Sequence, residues 1–535
     1  MPTRLVMVLA ALLVSGAAAA QPDAEALAAL ATGDTLAKLE AIDQLASTGR
    51  ADADRILEAL EKGELFTTAE GRLALLRGAD LFDASTGERL DASLEEVEQV
   101  SINNRIRRAL ASARATLALT SPDRDVRLAA AESMESRADG ALRAVLERAL
   151  SLERDDEVAQ VLRFSLARLE LTREDSPQTR LEAARLLGES ARPGTRAALA
   201  ARLESTPDGG WVEPEASVRT ELQRSITRID RRMAFGELLG QLFSGLSLGS
   251  ILLLAALGLA ITYGLLGVIN MAHGEMLMAG AYATYVVQGL VQHAAPSLSE
   301  YYLLFALPVS FLVAAALGAA LEWALIRHLY GRPLETLLAT WGISLILIQA
   351  TRTLFGAQNV QVASPSWMSG GWRLWTGQVL PYNRILIIAF SLLVLGATWL
   401  VLSRTRLGLF IRAVTQHRTM AGCVGVATER VDLLAFALGS GIAGLGGCAL
   451  SQIGNVGPDL GQSYVIDSFM VVVLGGVGQL AGTILAAFGL GGASKLLEPF
   501  SGAVLAKIAI LVFIIIFIQR RPQGLFALKG RNTEG

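Results

Sequence analysis

Apolar and polar positions are distributed along this chain in two unlike halves. From about Gln21 to Arg232 apolar residues recur at three- and four-residue spacing on a charged background, as in Asp125–Ala131, Glu157–Leu169, Arg180–Leu187 and Ser217–Ile229. That period predicts short amphipathic helices. Most follow an acidic or proline-bearing turn (Pro122-Asp123, Asp155-Asp156, Ser176-Pro177, Pro214-Glu215). Asp or Ser there caps the free amides of a helix start, and Pro fits its first turn. The pattern is similar to stacked HEAT-like helical pairs, whose apolar faces bury against neighbouring repeats. Between about Glu70 and Leu90, Gly71, Gly78 and Ser85-Thr86-Gly87 interrupt the period and predict a small hairpin.

After Arg232 the pattern becomes long apolar runs, at about 238–268, 275–292, 301–326, 335–354, 385–402, 431–451, 464–494 and 503–519. Roughly 20 apolar residues suffice to cross a bilayer. The expected fold class is therefore all-α, a polytopic membrane domain at 235–528 behind a helical-repeat-like domain at 21–232. Gly245, Gly249 and the Gly439–Gly447 cluster suit close helix packing.

The extreme N-terminus reads as an export signal over residues 1–20. Arg4 precedes the apolar run Leu5–Val14, and Ala18-Ala19-Ala20 supplies small residues before Gln21. Basic residues cluster at Arg327–Arg332, at Arg404–Arg430 and at Arg520–Arg531, which by the positive-inside rule face the cytoplasm. The loop from about Gly356 to Asn383, with Trp367, Trp372 and Trp375, then falls outside, and so does the polar domain. Arg228, Arg231 and Arg232 run against that orientation. Tracing forward, the orientation holds only if 464–494 enters and returns to one face, for which Gly475-Gly476-Val477-Gly478 offers a break. The protein is expected in a bacterial inner membrane as a multi-pass chain, its first domain periplasmic and its C-terminus cytoplasmic.

Composition narrows the chemistry. Net charge is −3, which selects no nucleic acid. Both cysteines, Cys423 and Cys448, lie in the apolar half, with no metal or redox spacing. The first 232 residues contain no histidine and no catalytic constellation, so docking outranks catalysis there. No phosphate-binding G-x-x-x-x-G-K-[ST] loop occurs, and no cofactor or metal is implied. The most informative polar group is Asn270, His273 and Glu275 directly after the first apolar run, because ionisable side chains in membrane segments mark paths or helix breaks.

INMAHGE at 269–275, the loop from Ser403 to Arg430, FMVVVLGGVGQLAGT from Phe469 to Thr483 and RPQGLF from Arg521 to Phe526, in that order, resemble the branched-chain amino acid type permeases of ATP-binding cassette importers. LLATWGISLILIQ from Leu337 and GNVGPDLGQSYVIDSF from Gly454, with the preceding signal and polar domain, resemble the urea permease subgroup. The resemblance implies a second homologous permease, two ATP-binding subunits and a periplasmic solute-binding protein as partners, with the lipid bilayer around the permeases. It makes 403–430 a coupling loop, with Arg412, Ala413, Gly425 and Glu429 fitting the family pattern and Gly408 and Gly425 bounding a docking helix. Urea is small, planar and neutral, so its path needs donors and acceptors. Asn270, Thr340, Ser344, Gln349, Gln452, Asn455 and Tyr464 supply them, while His273, Glu275 and Asp467 are either pathway or structural. Glu322 is expected to pair with Arg327 or Arg332. Uptake of short-chain amides or branched-chain amino acids is the alternative within the class. A passive urea channel and a membrane-anchored sensor are readings from other classes.

Overall fold

The computed structural model describes residues 21–48, 53–78, 80–90, 97–137, 142–173, 176–267, 270–374 and 377–526. The export signal, Trp375, Lys529 and Arg531 lie outside the described residues. The chain divides into two compact units, Met1–Arg232 and Met233–Gly535.

The first unit begins with α1 (Gln21–Thr32), α2 (Thr35–Thr48) and α3 (Ala53–Lys62). The small hairpin read from the glycines is part of a larger sheet. Strands β1 (Leu65–Thr68), β2 (Leu73–Arg77), β3 (Asp80–Asp83), β4 (Arg89–Leu90) and β5 (Val97–Gln99) form an antiparallel sheet in the order β4-β3-β2-β1-β5. The outer strands escape pattern reading because two or three residues show no alternation. At the β3–β4 turn Asp83 accepts the amides of Ser85 (2.8 Å) and Thr86 (3.1 Å), a local bond that fixes the turn. Leu30, Leu45, Leu57, Leu60 and Leu65 are buried together in the core of this part.

Helices α4 (Asn104–Ala118), α5 (Arg124–Arg137), α6 (Arg143–Leu152), α7 (Asp156–Glu170), α8 (Pro177–Leu187) and α9 (Pro193–Ala201) follow. Asn103, Asp155 and Ser176 cap α4, α7 and α8 through their side-chain oxygens. Glu213 is fully buried and takes two hydrogen bonds from the Arg180 guanidinium (3.0 and 2.9 Å) and one from Arg202 (3.2 Å). Burial pushes its carboxyl up, but those bonds and the Glu215 amide outweigh burial and hold it below the usual value.

Among the described residues six helices are long and apolar enough to cross a membrane, the first of them beginning before Met233, where the second unit starts. The elements are α10 (Ala216–Leu266), whose start belongs to the first unit, α11 (His273–Ala294), α12 (Tyr302–Ala324), α13 (Pro333–Phe355), the hairpin β6 (Gly371–Arg373) and β7 (Val379–Pro381), α14 (Tyr382–Arg404), α15 (Arg406–Gln416), α16 (Arg418–Cys423), α17 (Thr428–Ser451), α18 (Leu460–Gly475) and α19 (Leu480–Arg520). Contacts between these elements fix their directions. The basic loops lie together, because the Arg418 guanidinium stacks 4.6 Å over the Tyr330 ring and pairs with Asp432 at the start of α17. The tryptophan loop lies at the other end. There Val360 and Val456 exchange backbone hydrogen bonds, Gln288 and Tyr302 donate to the Ala363 carbonyl, and Asn383 donates to that of Gln452.

The apolar run 464–494 is not one helix. It breaks between Gly475 and Leu480, so α18 is short and α19 starts afresh. A straight helix of 41 residues would be about 60 Å long. Yet Leu525, just past its end, donates its amide to the Leu474 carbonyl (2.9 Å), and Gly482 near its start packs backbone to backbone on Gly475. α19 therefore folds back on itself at Gly502, whose φ of 77° is non-helical, three residues after Pro499. Its two arms run in opposite directions, as two of the eight apolar segments imply. With both ends of α19 beside the end of α18, 452–501 leaves and returns to the tryptophan-loop end, and Arg520 and Arg521 join the other basic residues.

A broken-helix junction, a charged cleft and a basic surface

α10 ends beside the α18–α19 break, since a methyl on Gly264 would stand 2.8 Å from the Gly478 Cα. The chain then folds back along α10. His273, the first residue of α11, is fully buried with its Nε2 3.0 Å from the Ala255 carbonyl, about 14 Å back along the helix at 1.5 Å per residue. α11 thus begins inside the bundle. α18 does the same from the opposite direction, because its Gly461 packs backbone to backbone on Gly274, with a methyl on either standing 2.4 Å from the other's carbonyl oxygen. Two helix N-termini meet at this point, a geometry that concentrates unpaired amides and positive dipole ends.

Several of the sequence-predicted residues collect at this junction. Asn270 is buried and its Oδ1 accepts the Ala272 amide (3.0 Å). Thr340 accepts the Met271 amide (3.2 Å) while its own hydroxyl donates to the Thr336 carbonyl (2.8 Å). Ser344 donates to Glu275 Oε1 (2.8 Å), tying α13 to the first turn of α11. Among the described residues, Asn270 Nδ2, His273 Nδ1 and Glu275 Oε2 are buried there without a hydrogen-bond partner.

The other candidates lie elsewhere. Gln452 is buried at the tryptophan-loop end, accepting the Tyr302 hydroxyl (3.1 Å). Asn455 and Gln349 are exposed. Tyr464 and Asp467 face a cleft of about 330 Å³ between α10, α18 and both arms of α19, where Asp467 pairs with Lys507 (2.8 Å). The same cleft is bordered by a second ion pair, Lys495–Glu498 (2.6 Å). Sequence reading missed Lys495, Glu498 and Lys507, although charges inside an apolar run are the signal that finds such groups. Glu322 pairs with Arg327 (3.2 Å), whereas Arg332 pairs with Glu335 instead.

The loop from 403 to 430 folds into α15 and α16 rather than one docking helix. Thr405 caps α15 by accepting the Gly408 amide, and Gly408 is required by contact, since a methyl there would stand 2.1 Å from the Leu402 carbonyl oxygen. Arg412 donates to that same carbonyl (2.6 Å), Ala413 is half-buried, and Gly425 (φ 91°) and Glu429 are exposed before and in the first turn of α17. Leu409, Phe410, Met420 and Val424 are exposed on this basic end.

Comparison with known proteins adds to this geometry. The model of the family described as branched-chain amino acid transport system / permease component matches residues 241–519. The high-affinity branched-chain amino acid transport system permease protein BraD of Pseudomonas aeruginosa is 30% identical over 293 residues, covering 54% of this chain and 95% of that protein. The permease protein LivH of the corresponding system in Escherichia coli K12 is 27% identical over 298 residues, covering 54% and 94%. The ribose import permease protein RbsC of Escherichia coli K12 is 27% identical over 132 residues, 22% of this chain and 41% of that protein. No solved structure matches. Because BraD and LivH are nearly covered by about half of this chain, the rest has no counterpart in them.

Proposed function

Because this chain belongs to the permease-component family of branched-chain amino acid transport systems, we propose that it moves urea through an importer driven by two partner ATPases. It is a multi-pass membrane transport subunit and not an enzyme. The family implies ATP-binding subunits and a solute-binding protein. A second homologous permease would complete the translocation path. The exposed apolar residues on α15 and α16, set among arginines, support docking to the ATPases at the basic end. Rigid-body motion of these short helices would pass nucleotide-driven closure to the spans.

The observation that carries the solute reading is the charge balance of the cleft. Asp467 is matched by Lys507 and Lys495 by Glu498, so no net charge remains to hold an ion. Paired donors and acceptors suit a solute of no net charge that has both, which argues against an ion and fits urea and an amino acid zwitterion alike. The additional half of the chain, which the amino acid permeases lack, supports a distinct solute. A branched-chain amino acid is the second reading, favoured by the roles of BraD and LivH and by the apolar cleft residues Leu248, Leu252, Met470 and Leu490. ATP-dependent uptake of labelled urea by the reconstituted complex, with leucine as competitor, separates them. Saturable urea uptake that leucine does not inhibit supports urea; leucine uptake without urea uptake overturns it.

The same reading puts residues 21–232 in the periplasm after removal of 1–20. Protease added to intact spheroplasts should digest that unit. Full protection, with the leader retained, would sink the orientation.

A further inference from the structure

The Lys495–Glu498 pair borders two spaces at once. Above it, toward the tryptophan loop, lies a cleft of about 640 Å³ that also reaches Glu237, Gln378 and Arg384; below it lies the 330 Å³ cleft that reaches Asp467 and Lys507. The Lys495–Glu498 pair thus lies between the two clefts, and the Asp467–Lys507 pair borders the inner, mostly apolar one. Asp467 sits on α18 and Lys507 on the second arm of α19, while Lys495 and Glu498 sit on the first arm, just before the Gly502 turn. None of these charges is sealed in the core. The Asp467 side chain is 15% exposed, those of Lys495 and Glu498 about a third, and that of Lys507 57%. Charged groups at such positions are expensive unless they serve a path.

We propose that the Asp467–Lys507 pair, which links α18 to the second arm of α19, is a gate for a small neutral amide. It is reached past the Lys495–Glu498 pair, which offers the solute the same donor and acceptor from one arm, and the role rests on the permease reading above. An apolar wall would leave the dipole of such a solute without partners, and a lone charge would hold ions instead. A matched pair avoids both. As the solute enters, its carbonyl oxygen accepts from the lysine ammonium and its NH2 groups donate to the carboxylate. The pair separates around the solute and closes behind it, and neither charge is left bare. Lysine suits the task because its ammonium is a point charge on a flexible stem.

The test uses the complex assembled with its ATP-binding subunits and solute-binding protein in membrane vesicles. An ion pair that only braces helices can be replaced by apolar residues without loss. The double variant Asp467→Leu/Lys507→Leu should therefore assemble normally yet lose about tenfold in urea uptake per complex, the effect of one hydrogen bond to a charged group. The exchange Asp467→Lys/Lys507→Asp keeps a matched pair and should stay within threefold of the parent. Ser463→Cys, in a chain with Cys423 and Cys448 replaced by serine, should react with an impermeant thiol reagent from the tryptophan-loop side, more slowly when urea is present. Normal uptake by the double-leucine variant, or no labelling of Ser463→Cys, would overturn the gate. Should the double-leucine variant not assemble, Glu498→Gln is judged by the same tenfold loss. If the parent complex carries leucine and not urea, the solute reading fails, and the same variants decide the gate on leucine uptake.

Discussion

The Ser344 hydroxyl lies 2.8 Å from Glu275 Oε1 and is the side-chain bond that holds the start of α11 to the middle of α13. Both residues are buried, so neither finds water if the other is removed. Ser344→Ala should cost roughly 1–3 kcal/mol, the penalty of leaving a buried polar atom without its partner. Asn270→Ala, which removes the acceptor of the Ala272 amide, should cost about 1 kcal/mol. Both losses should appear as less assembled complex, with uptake per complex close to normal for Ser344→Ala. A full yield combined with lost uptake would instead make Glu275 a solute contact.

Gly280 and Gly289 lie on the same helix and should answer substitution in opposite ways. A methyl on Gly280 would stand 2.1 Å from the Gly444 carbonyl oxygen, whereas one on Gly289 meets nothing within 4 Å. Gly280→Ala should abolish assembly. Gly289→Ala should leave it intact or raise the melting temperature slightly, since alanine favours helix by about 0.5–1 kcal/mol. Thermal unfolding of the two purified variants checks the contrast.

The long helical periods, the capping residues and the apolar runs were legible because each is a local pattern. The β-strands at the sheet edges were not, because Arg89–Leu90 and Val97–Gln99 are too short to show alternation. Asn270, Glu275, Thr340 and Ser344 could be named singly from polarity in apolar surroundings. That they meet depends on α11 starting deep inside the bundle, which no local pattern encodes. The partner of Asp467, on the far side of the Gly502 turn, was hidden for the same reason.

At the basic end, Arg412→Glu should release α15 from the Leu402 carbonyl and Gly425→Val should strain a backbone held at φ 91°. Neither position supports the helix bundle. Both variants are expected to assemble while losing most of the solute-stimulated ATP hydrolysis of the complex, measured as phosphate release with and without loaded binding protein. Unchanged stimulation in both would remove α15 and α16 from coupling.

The Arg180–Glu213 pair gives the first unit a defined pH dependence. The folded carboxyl titrates below its ordinary value of 4.5, so the unfolded chain takes up the proton first as pH falls. Its stabilisation is complete above that ordinary value and is lost as pH drops through the folded one. The protection of amides over 177–230 in the full chain, taken relative to the intrinsic exchange rate at each pH, should fall as pH drops below the ordinary carboxyl value of 4.5. Glu213→Gln should flatten that dependence and exchange faster already at neutral pH.

Backbone meeting backbone at Gly274 and Gly461, at Gly258 and Gly439 and at Gly475 and Gly482 restricts the motions open to the membrane unit. Side chains can slip past one another by changing rotamer, but touching main chains have nothing to rearrange. Sliding along the helix axis would drive the next residue's Cβ into the opposing carbonyl. Rotation about the point of contact meets no such obstacle. The glycines therefore favour rocking of whole helices about these contacts over sliding.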